Sequence, residues 1–208
     1  MELVTLPVGQ LGTNCYLVWG DDRRCAVIDP GDESERILAE AERHGLTVEA
    51  VLLTHLHIDH FLALPALLEA TGARFSLPKE ETAALDDPHR NLMNWLCDAP
   101  FLLPHPTETV EEGDTVSVGT LIFTVWHTPG HTAGSSCYLC GDTLFCGDTL
   151  FQGSVGRCDL PSGDGAELVK TLARFAAMTR DCKLMPGHGP STTLFNEQKG
   201  NPYMKEGV

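Results

Sequence analysis

Basic charge and long apolar runs are what this chain has least of. Its 208 residues include 14 Lys and Arg against 29 Asp and Glu, for a net charge of −15. Phosphate binding needs clustered cations, so nucleic acid and anionic membranes are excluded as general partners. No apolar stretch approaches the roughly 18 residues of a membrane span. The opening Met1-Glu2-Leu3-Val4-Thr5-Leu6-Pro7 has neither a basic segment nor a long apolar one. A signal peptide is therefore not expected, and the expected location is cytoplasmic. Low-complexity tracts and Pro/Gly/Ser linkers are missing too, so residues 1–208 are expected to form one domain with a sizeable core.

Paired cysteine spacing is also missing. Cys15, Cys25, Cys97, Cys137, Cys140, Cys146, Cys158 and Cys182 are scattered, unlike the C-x-x-C pairs of a zinc ribbon. Cys137 and Cys140 form a single C-x-x-C, but inside a strand residues i and i+3 face opposite sides. Small buried hydrophobes in a reducing compartment are the expected role for these thiols. Cys158 stands apart because it follows an acidic motif taken up below.

What is present is a concentrated donor set. Thr54-His55-Leu56-His57-Ile58-Asp59-His60 follows the apolar run Ala50-Val51-Leu52-Leu53, where a strand ends. Imidazole and carboxylate hold zinc, iron or manganese while leaving room for water. In an extended or turn segment, donors at i and i+2 face one way and those at i+4 and i+5 another. Such spacing can serve two metals sharing one hydroxide. Three further donors sit at strand-to-loop junctions flanked by turn residues: His131 in Thr128-Pro129-Gly130-His131-Thr132, Asp148 in Gly147-Asp148-Thr149, and His188 in Pro186-Gly187-His188-Gly189.

In this order the motifs resemble the metallo-β-lactamase-fold hydrolases across nearly the whole chain. Within that superfamily the chain is most similar to glyoxalase II, the hydroxyacylglutathione hydrolases, in a short single-domain form. Gly147-Asp148-Thr149-Leu150-Phe151, the stretch Gly153 to Pro161, and Asn201-Pro202-Tyr203-Met204 carry that likeness. The resemblance implies that His55, His57 and His131 hold one metal. It implies that Asp59, His60 and His188 hold a second, with Asp148 bridging both. Zinc is the default by availability, with iron or manganese as alternatives. The implied reaction is thioester cleavage, of S-D-lactoylglutathione or a related hydroxyacylglutathione, by a metal-bridging hydroxide oriented by Asp59. A thiolate leaves without a strong general acid, which suits such a site.

The resemblance also implies substrate contacts from Arg157 and Lys205 to glutathione. Asp159 stands where larger relatives have a tyrosine, and an Arg157–Asp159 ion pair is the alternative role for that loop. Those relatives also carry a C-terminal helical domain that this sequence does not include. Asp29, in Val27-Ile28-Asp29-Pro30-Gly31 at a strand end, is the candidate partner for a ligand imidazole. His44, His89, His105 and His127 are read as lying outside the site. A single-iron persulfide dioxygenase of the same fold is the alternative activity; it would need no role for Asp59, His60 or His188. A secreted β-lactamase fits less well, because no cysteine stands among the expected ligands.

Strand patterns run over Leu3 to Val8, Asn14 to Val18, Cys25 to Asp29, Val48 to Leu53, Thr115 to Val118, Leu121 to Trp126, Ser136 to Leu139 and Thr143 to Cys146, with a short strand at Lys183 to Met185. Helical spacing marks Ser34 to Arg43, Phe61 to Glu69 and Ala166 to Met178. Residues 78–106 read as irregular, with short helical patterns around Glu80 to Leu85 and Asn91 to Leu96, and as a lid, a substrate-shaping insertion or a surface excursion. Two halves of strands followed by helix predict two sheets packed face to face with helices outside, a four-layer αββα sandwich.

Overall fold

The computed structural model describes residues 1–97, 99 and 101–205. One six-stranded sheet is built from β1 (Glu2–Val8), β2 (Thr13–Trp19), β3 (Arg24–Ile28), β4 (Thr47–Leu52), β5 (Arg74–Pro78) and β6 (Glu108–Val110), in that order. The first three strands pair antiparallel and the remaining pairings are parallel. A second six-stranded sheet contains β7 (Thr115–Val118), β8 (Leu121–His127), β9 (Ser136–Cys140), β10 (Thr143–Gly147), β13 (Lys183–Pro186) and β14 (Thr192–Thr193), in the spatial order β14-β13-β10-β9-β8-β7. The short hairpin of β11 (Leu150–Phe151) and β12 (Ser154–Val155) lies apart from both.

The period-two pattern of each strand sorts its side chains between layers. From β2, Tyr16 and Val18 join Ile28 and Leu52 of the first sheet against Phe123, Val125 and Phe145 of the second. The alternate residues Cys15, Leu17 and Trp19 face the outer layer with α1 (Ser34–Arg43) and α3 (Leu64–Thr71). On the far side of the second sheet, Leu144 and Leu184 pack on Leu168, Leu172 and Phe175 of α5 (Gly165–Ala176). The αββα sandwich follows. Phe123 and Phe145 are fully buried between the sheets, and truncating either to Ala should cost about 3–5 kcal/mol. Cys137 and Cys140 fall into different core layers, the opposite-face placement expected of them.

The expected helix from Phe61 to Glu69 is in fact two helices. α2 (Ile58–Phe61) starts inside the His-rich motif, and α3 starts three residues beyond it. Pro65 is in the first turn of α3, where its missing N–H costs nothing, and the Ala63 N–H turns away to Pro30 O. Asp59 and His60 thus ride on a helical turn, the turn and not the extended form of the two considered for them.

Residues 78–106 contain the two short helical stretches expected of them, but are more packed than a lid or surface excursion. A 3-10 turn at Lys79–Ala84 and the short α4 (Met93–Leu96) bury Ala84, Leu85, Leu92, Met93 and Leu103 in the outer core. Much of this segment is therefore a packed brace. Asp98 and Pro100 of it lie outside the described residues. α6 (Leu194–Gly200) and the strands β5, β6, β11, β12 and β14 had no expected counterpart. No helix among the described residues is long and apolar enough to cross a membrane.

Candidate metal centre

The two sheets are tied together at the edge where the donors gather. Tyr16 donates its hydroxyl across to Pro186 O at 2.6 Å, and Tyr138 donates in the opposite direction to Leu53 O at 2.9 Å. Leu53 and Pro186 stand just before the His-rich motif and the His188 turn. Both acceptors are buried, so these bonds fix the two ligand-bearing strand ends relative to each other.

Each donor is delivered by its own local structure. His55 and His57 leave the end of β4, while Asp59 and His60 start α2. Thr171 and Asp164 of the α5 region hold the His131 loop: the Thr171 hydroxyl donates to Pro129 O, and Asp164 N–H to Gly130 O. Asp148 follows a register shift in the β10–β13 pairing between Phe145 and Gly147, the kind of irregularity that re-aims a side chain. Gly147 has φ of 46°, and a Cβ there would collide with Thr54. At Gly187 a Cβ would strike Asp148 Oδ1 and lie 2.7 Å from the His60 ring. Glycine is required there because the backbone itself forms the wall of the site.

The seven donors converge in two trios. His131 Nε2 lies 3.2 Å from His55 Nε2 and 3.0 Å from His57 Nδ1. In the second trio, Asp59 Oδ2 lies 3.6 Å from His60 Nε2 and 3.2 Å from His188 Nε2. Asp148 stands between them, its Oδ2 3.6 Å from both His131 Nε2 and His188 Nε2, and its Oδ1 3.4 Å from His60 Nε2. Tetrahedral ligands about 2.0–2.1 Å from a zinc ion are separated from one another by roughly 3.3 Å. The observed spacings suit donors around cations better than donors bonded to each other. His60 Nε2 and Asp148 Oδ1 are buried without a hydrogen-bond partner, which is costly unless a cation satisfies them. The residues present fit two metal ions.

Charge at the site tells the same story. Burial opposes ionisation of Asp148, but His60, His131 and His188 outweigh it and bring the carboxyl down to about 2. Asp59 is likewise held well below the usual range, against its burial, by His60, His188 and the Thr13 hydroxyl. Burial, with His131 alongside, pushes His57 down to about 3. His60 goes the other way: burial disfavours its charge, yet Asp59, Asp148 and Asp29 raise it well above the ordinary value. In the metal-free site that proton stands in for a cation.

Outer contacts orient the ligands. Asp29 Oδ2 accepts from His60 Nδ1 at 3.0 Å and from the Thr54 hydroxyl at 2.7 Å. His131 Nδ1 donates to the backbone carbonyl of Arg157 at 2.7 Å. Such partners fix the tautomer, leaving the other ring nitrogen for a metal. Three contributors escaped the sequence reading. The Thr13 hydroxyl donates to Asp59 Oδ2 at 3.0 Å. Asn14 Nδ2 brackets His188 by donating to Pro186 O at 3.0 Å and Gly189 O at 2.8 Å. Their signal was two polar residues heading an otherwise apolar strand. Glu81, buried, accepts from Leu56 N–H at 2.8 Å, the Thr132 hydroxyl at 2.7 Å and Gly134 N–H at 2.9 Å. It clamps the His55–His57 loop to the His131 loop, and nothing in the sequence around it marked it.

The substrate-contact residues are less tied to the site. Arg157 lines the cleft above the donors, but its guanidinium makes an exposed bidentate pair with Asp159, at 2.6 and 2.8 Å. This is the alternative geometry considered for that loop. Lys205 is exposed and does not line the cleft. Cys158 lines a separate cavity beside α5. His44 stacks near Trp19 and His127 contacts Ala133 O, both away from the donors.

The metallo-beta-lactamase superfamily signature matches residues 8–191. The hydroxyacylglutathione hydrolase GloC of Haemophilus influenzae is 32% identical, with 98% of each chain covered. Among solved structures, the BLEG-1 B3 metallo-beta-lactamase superposes with a TM-score of 0.91 at 33% identity, covering 98% of this chain and 99% of that one. TTHA1623 in a di-iron-bound form superposes at 0.86 with 37% identity, covering 96% and 99%. Matched donors and full-length similarity agree: the chain belongs to the metallo-beta-lactamase superfamily, whose fold it shares.

Proposed function

We propose that this chain is a binuclear metal-dependent thioester hydrolase acting on hydroxyacylglutathione and related acyl-glutathiones. The observation that carries the proposal is the second donor trio. Asp59, His60 and His188 converge too, Asp59 Oδ2 lying 3.2 and 3.6 Å from the two rings, with Asp148 reaching both trios. A single-iron dioxygenase would need only the first trio, although relatives of that kind often retain the other residues, so oxygen uptake separates the two. GloC supports the choice of substrate, and the di-iron relative makes iron an alternative to zinc.

His55, His57 and His131 would hold one ion, Asp59, His60 and His188 the other, and Asp148 both. When bound, two such ions lower the pKa of water towards neutrality and polarise an acyl carbonyl. The chain's own residues supply the rest. Asp59 Oδ2, fixed by the Thr13 hydroxyl, orients the attacking water while remaining a ligand. Asp29 and the Arg157 carbonyl keep His60 and His131 in the ligating tautomer. Leu92, Phe151 and Leu160 wall the cleft of about 410 Å³ and limit bulk water around the reacting carbonyl. The thiolate needs no acid to leave.

The test is turnover of S-D-lactoylglutathione against a β-lactam and against glutathione persulfide with oxygen monitored. Thioester cleavage without oxygen uptake supports the proposal. Oxygen consumption, or cleavage of the β-lactam alone, overturns it.

A further inference from the structure

The cleft does not end at the metal donors. Past Ile58 and Asp59 it continues into a second cavity of about 230 Å³, and Leu11, Trp95 and Leu96 line both spaces. Elsewhere on its rim, Gly156 and Arg157 are shared with a third cavity of about 460 Å³. The two extensions differ in chemistry. The Arg157 side offers a cation. The Leu11 side offers large apolar side chains together with the carboxylates of Asp32 and Asp59.

Leu11, Trp95 and Leu96 are 56%, 60% and 48% exposed. They come from two distant parts of the chain, the β1–β2 turn and α4, and meet over the donors. Two polar groups on this flank are already engaged: Gly9 N–H donates to Glu33 Oε1 at 2.9 Å, and Asp32 Oδ1 accepts from Glu33 N–H at 2.7 Å, while the Gln10 amide also lines this space. An alkyl chain laid from the cleft across Leu11, Trp95 and Leu96 would cover apolar surface now in water.

We propose that Leu11, Trp95 and Leu96 form an acyl-binding subsite, and that the preferred substrates carry an apolar acyl chain longer than a lactoyl group. This rests on the thioester reading. A bound thioester places its carbonyl against the donors, and its two halves leave in different directions. The thiol half of an acyl-glutathione carries carboxylates, which Asp32 repels and which Arg157 attracts by exchanging Asp159 for them. The acyl half is therefore left to the apolar flank. In the reaction the C–S bond breaks, a C–O bond to water oxygen forms, and the products are a thiol and a longer carboxylic acid. Trp95 and Leu11 touch the unreacting chain, so they set specificity and do no chemistry.

The experiment uses the metal-loaded protein with acetyl-, butyryl-, hexanoyl- and octanoyl-glutathione alongside S-D-lactoylglutathione. The expected result is a rise in kcat/KM of about two- to fourfold per methylene until the subsite is filled, carried mainly by KM. Trp95→Ala and Leu11→Ser should flatten that slope. Leu102→Ala, at a residue 86% exposed and lining neither cavity, should leave it intact. In parallel, S-methyl-, S-butyl- and S-hexylglutathione, which cannot be hydrolysed, are titrated by tryptophan fluorescence. Tightening with chain length that Trp95→Phe retains and Trp95→Ala loses supports the subsite, followed for the Trp95 variants by competition. A flat series with lactoyl best, or equal loss on every substrate in Trp95→Ala, overturns it. So does a change in oligomeric state with the slope unaltered, which would make the flank a surface for a second copy. If no thioester is cleaved yet S-alkylglutathiones still tighten with length, the reaction is wrong and the subsite stands.

Discussion

Asp29 holds His60 from behind: Asp29 Oδ2 accepts from Nδ1 at 3.0 Å, leaving Nε2 as the ring atom that faces the donors. The same carboxylate accepts from the Thr54 N–H at 2.8 Å and hydroxyl at 2.7 Å, so the strand ends of β3 and β4 are locked through one side chain. Asp29 has φ of 51°, a left-handed conformation that costs a non-glycine residue roughly 1–3 kcal/mol. The three bonds it makes maintain that conformation. Asp29→Asn should keep the turn but weaken His60 as a ligand, lowering metal affinity about 10- to 100-fold. Competition against a chromophoric chelator measures this, and unchanged affinity would remove Asp29 from the site.

The bridging assignment predicts distinct metal contents for single variants. Asp148→Ala should fall towards one ion or none and lose most activity. His60→Ala and His188→Ala should each deplete one ion selectively while the other stays. Elemental analysis of each purified variant reads this directly. Two ions retained in Asp148→Ala would contradict the bridge, and loss of the His55–His57–His131 ion in His188→Ala would mean that the ligands are grouped wrongly.

Glu81 ties two ligand loops without touching a ligand side chain. Removing its carboxylate strands the Leu56 and Gly134 N–H groups in the interior and leaves the Thr132 hydroxyl only Ser135. Glu81→Ala should therefore destabilise the protein by about 2–4 kcal/mol, lowering Tm by roughly 5–15 °C. Glu81→Gln keeps an acceptor and should recover part of this. Thermal unfolding of both variants decides it, and a wild-type Tm in Glu81→Ala would show that the clamp contributes nothing.

Arg157 and Asp159 lie exposed, so their pairing contributes little to folding. Arg157→Ala should leave Tm unchanged and raise KM for glutathione thioesters roughly two- to fivefold with kcat preserved. Asp159→Asn releases the guanidinium and should lower KM. Steady-state kinetics with a thioester lacking glutathione's carboxylates is the control. Equal loss on that substrate would make the arginine structural.

His60 also sets how metal stabilisation depends on pH. Its folded-state pKa is raised, by Asp59, Asp148 and Asp29 acting against burial. In the metal-free protein this contributes stability that is complete below the unfolded value of about 6.5 and is lost as pH rises through the folded one. A metal ion must displace that proton, so its binding strengthens as pH rises. The Tm difference between metal-loaded and chelator-treated protein should widen from about pH 6 to about pH 8. A constant gap would mean that no proton is exchanged for metal.

The donor residues were legible because a metal restricts side-chain type and because Gly and Pro beside His131, Asp148 and His188 mark tight turns. The two-sheet architecture was legible from the apolar run of β2 and the alternation of β7, each followed later by a helix. What the sequence hid depends on third bodies. Thr13, Asn14 and Glu81 have roles only because folding brings distant loops against them. β6 and β14 are too short to show a period, and Pro65 reads equally as a helix interior or a restart. Trp95 and Leu96, in a short helical pattern with no ligand spacing beside it, acquire meaning only once they stand over the donors.

Metal content and thioester hydrolysis, measured on one preparation as the metal is removed and restored stepwise, test the central claim most directly. Two ions per chain, with S-D-lactoylglutathione cleavage lost as they are removed and recovered as the second returns, is the predicted result. Full hydrolysis with one ion or none, or two ions without thioester cleavage, would contradict it.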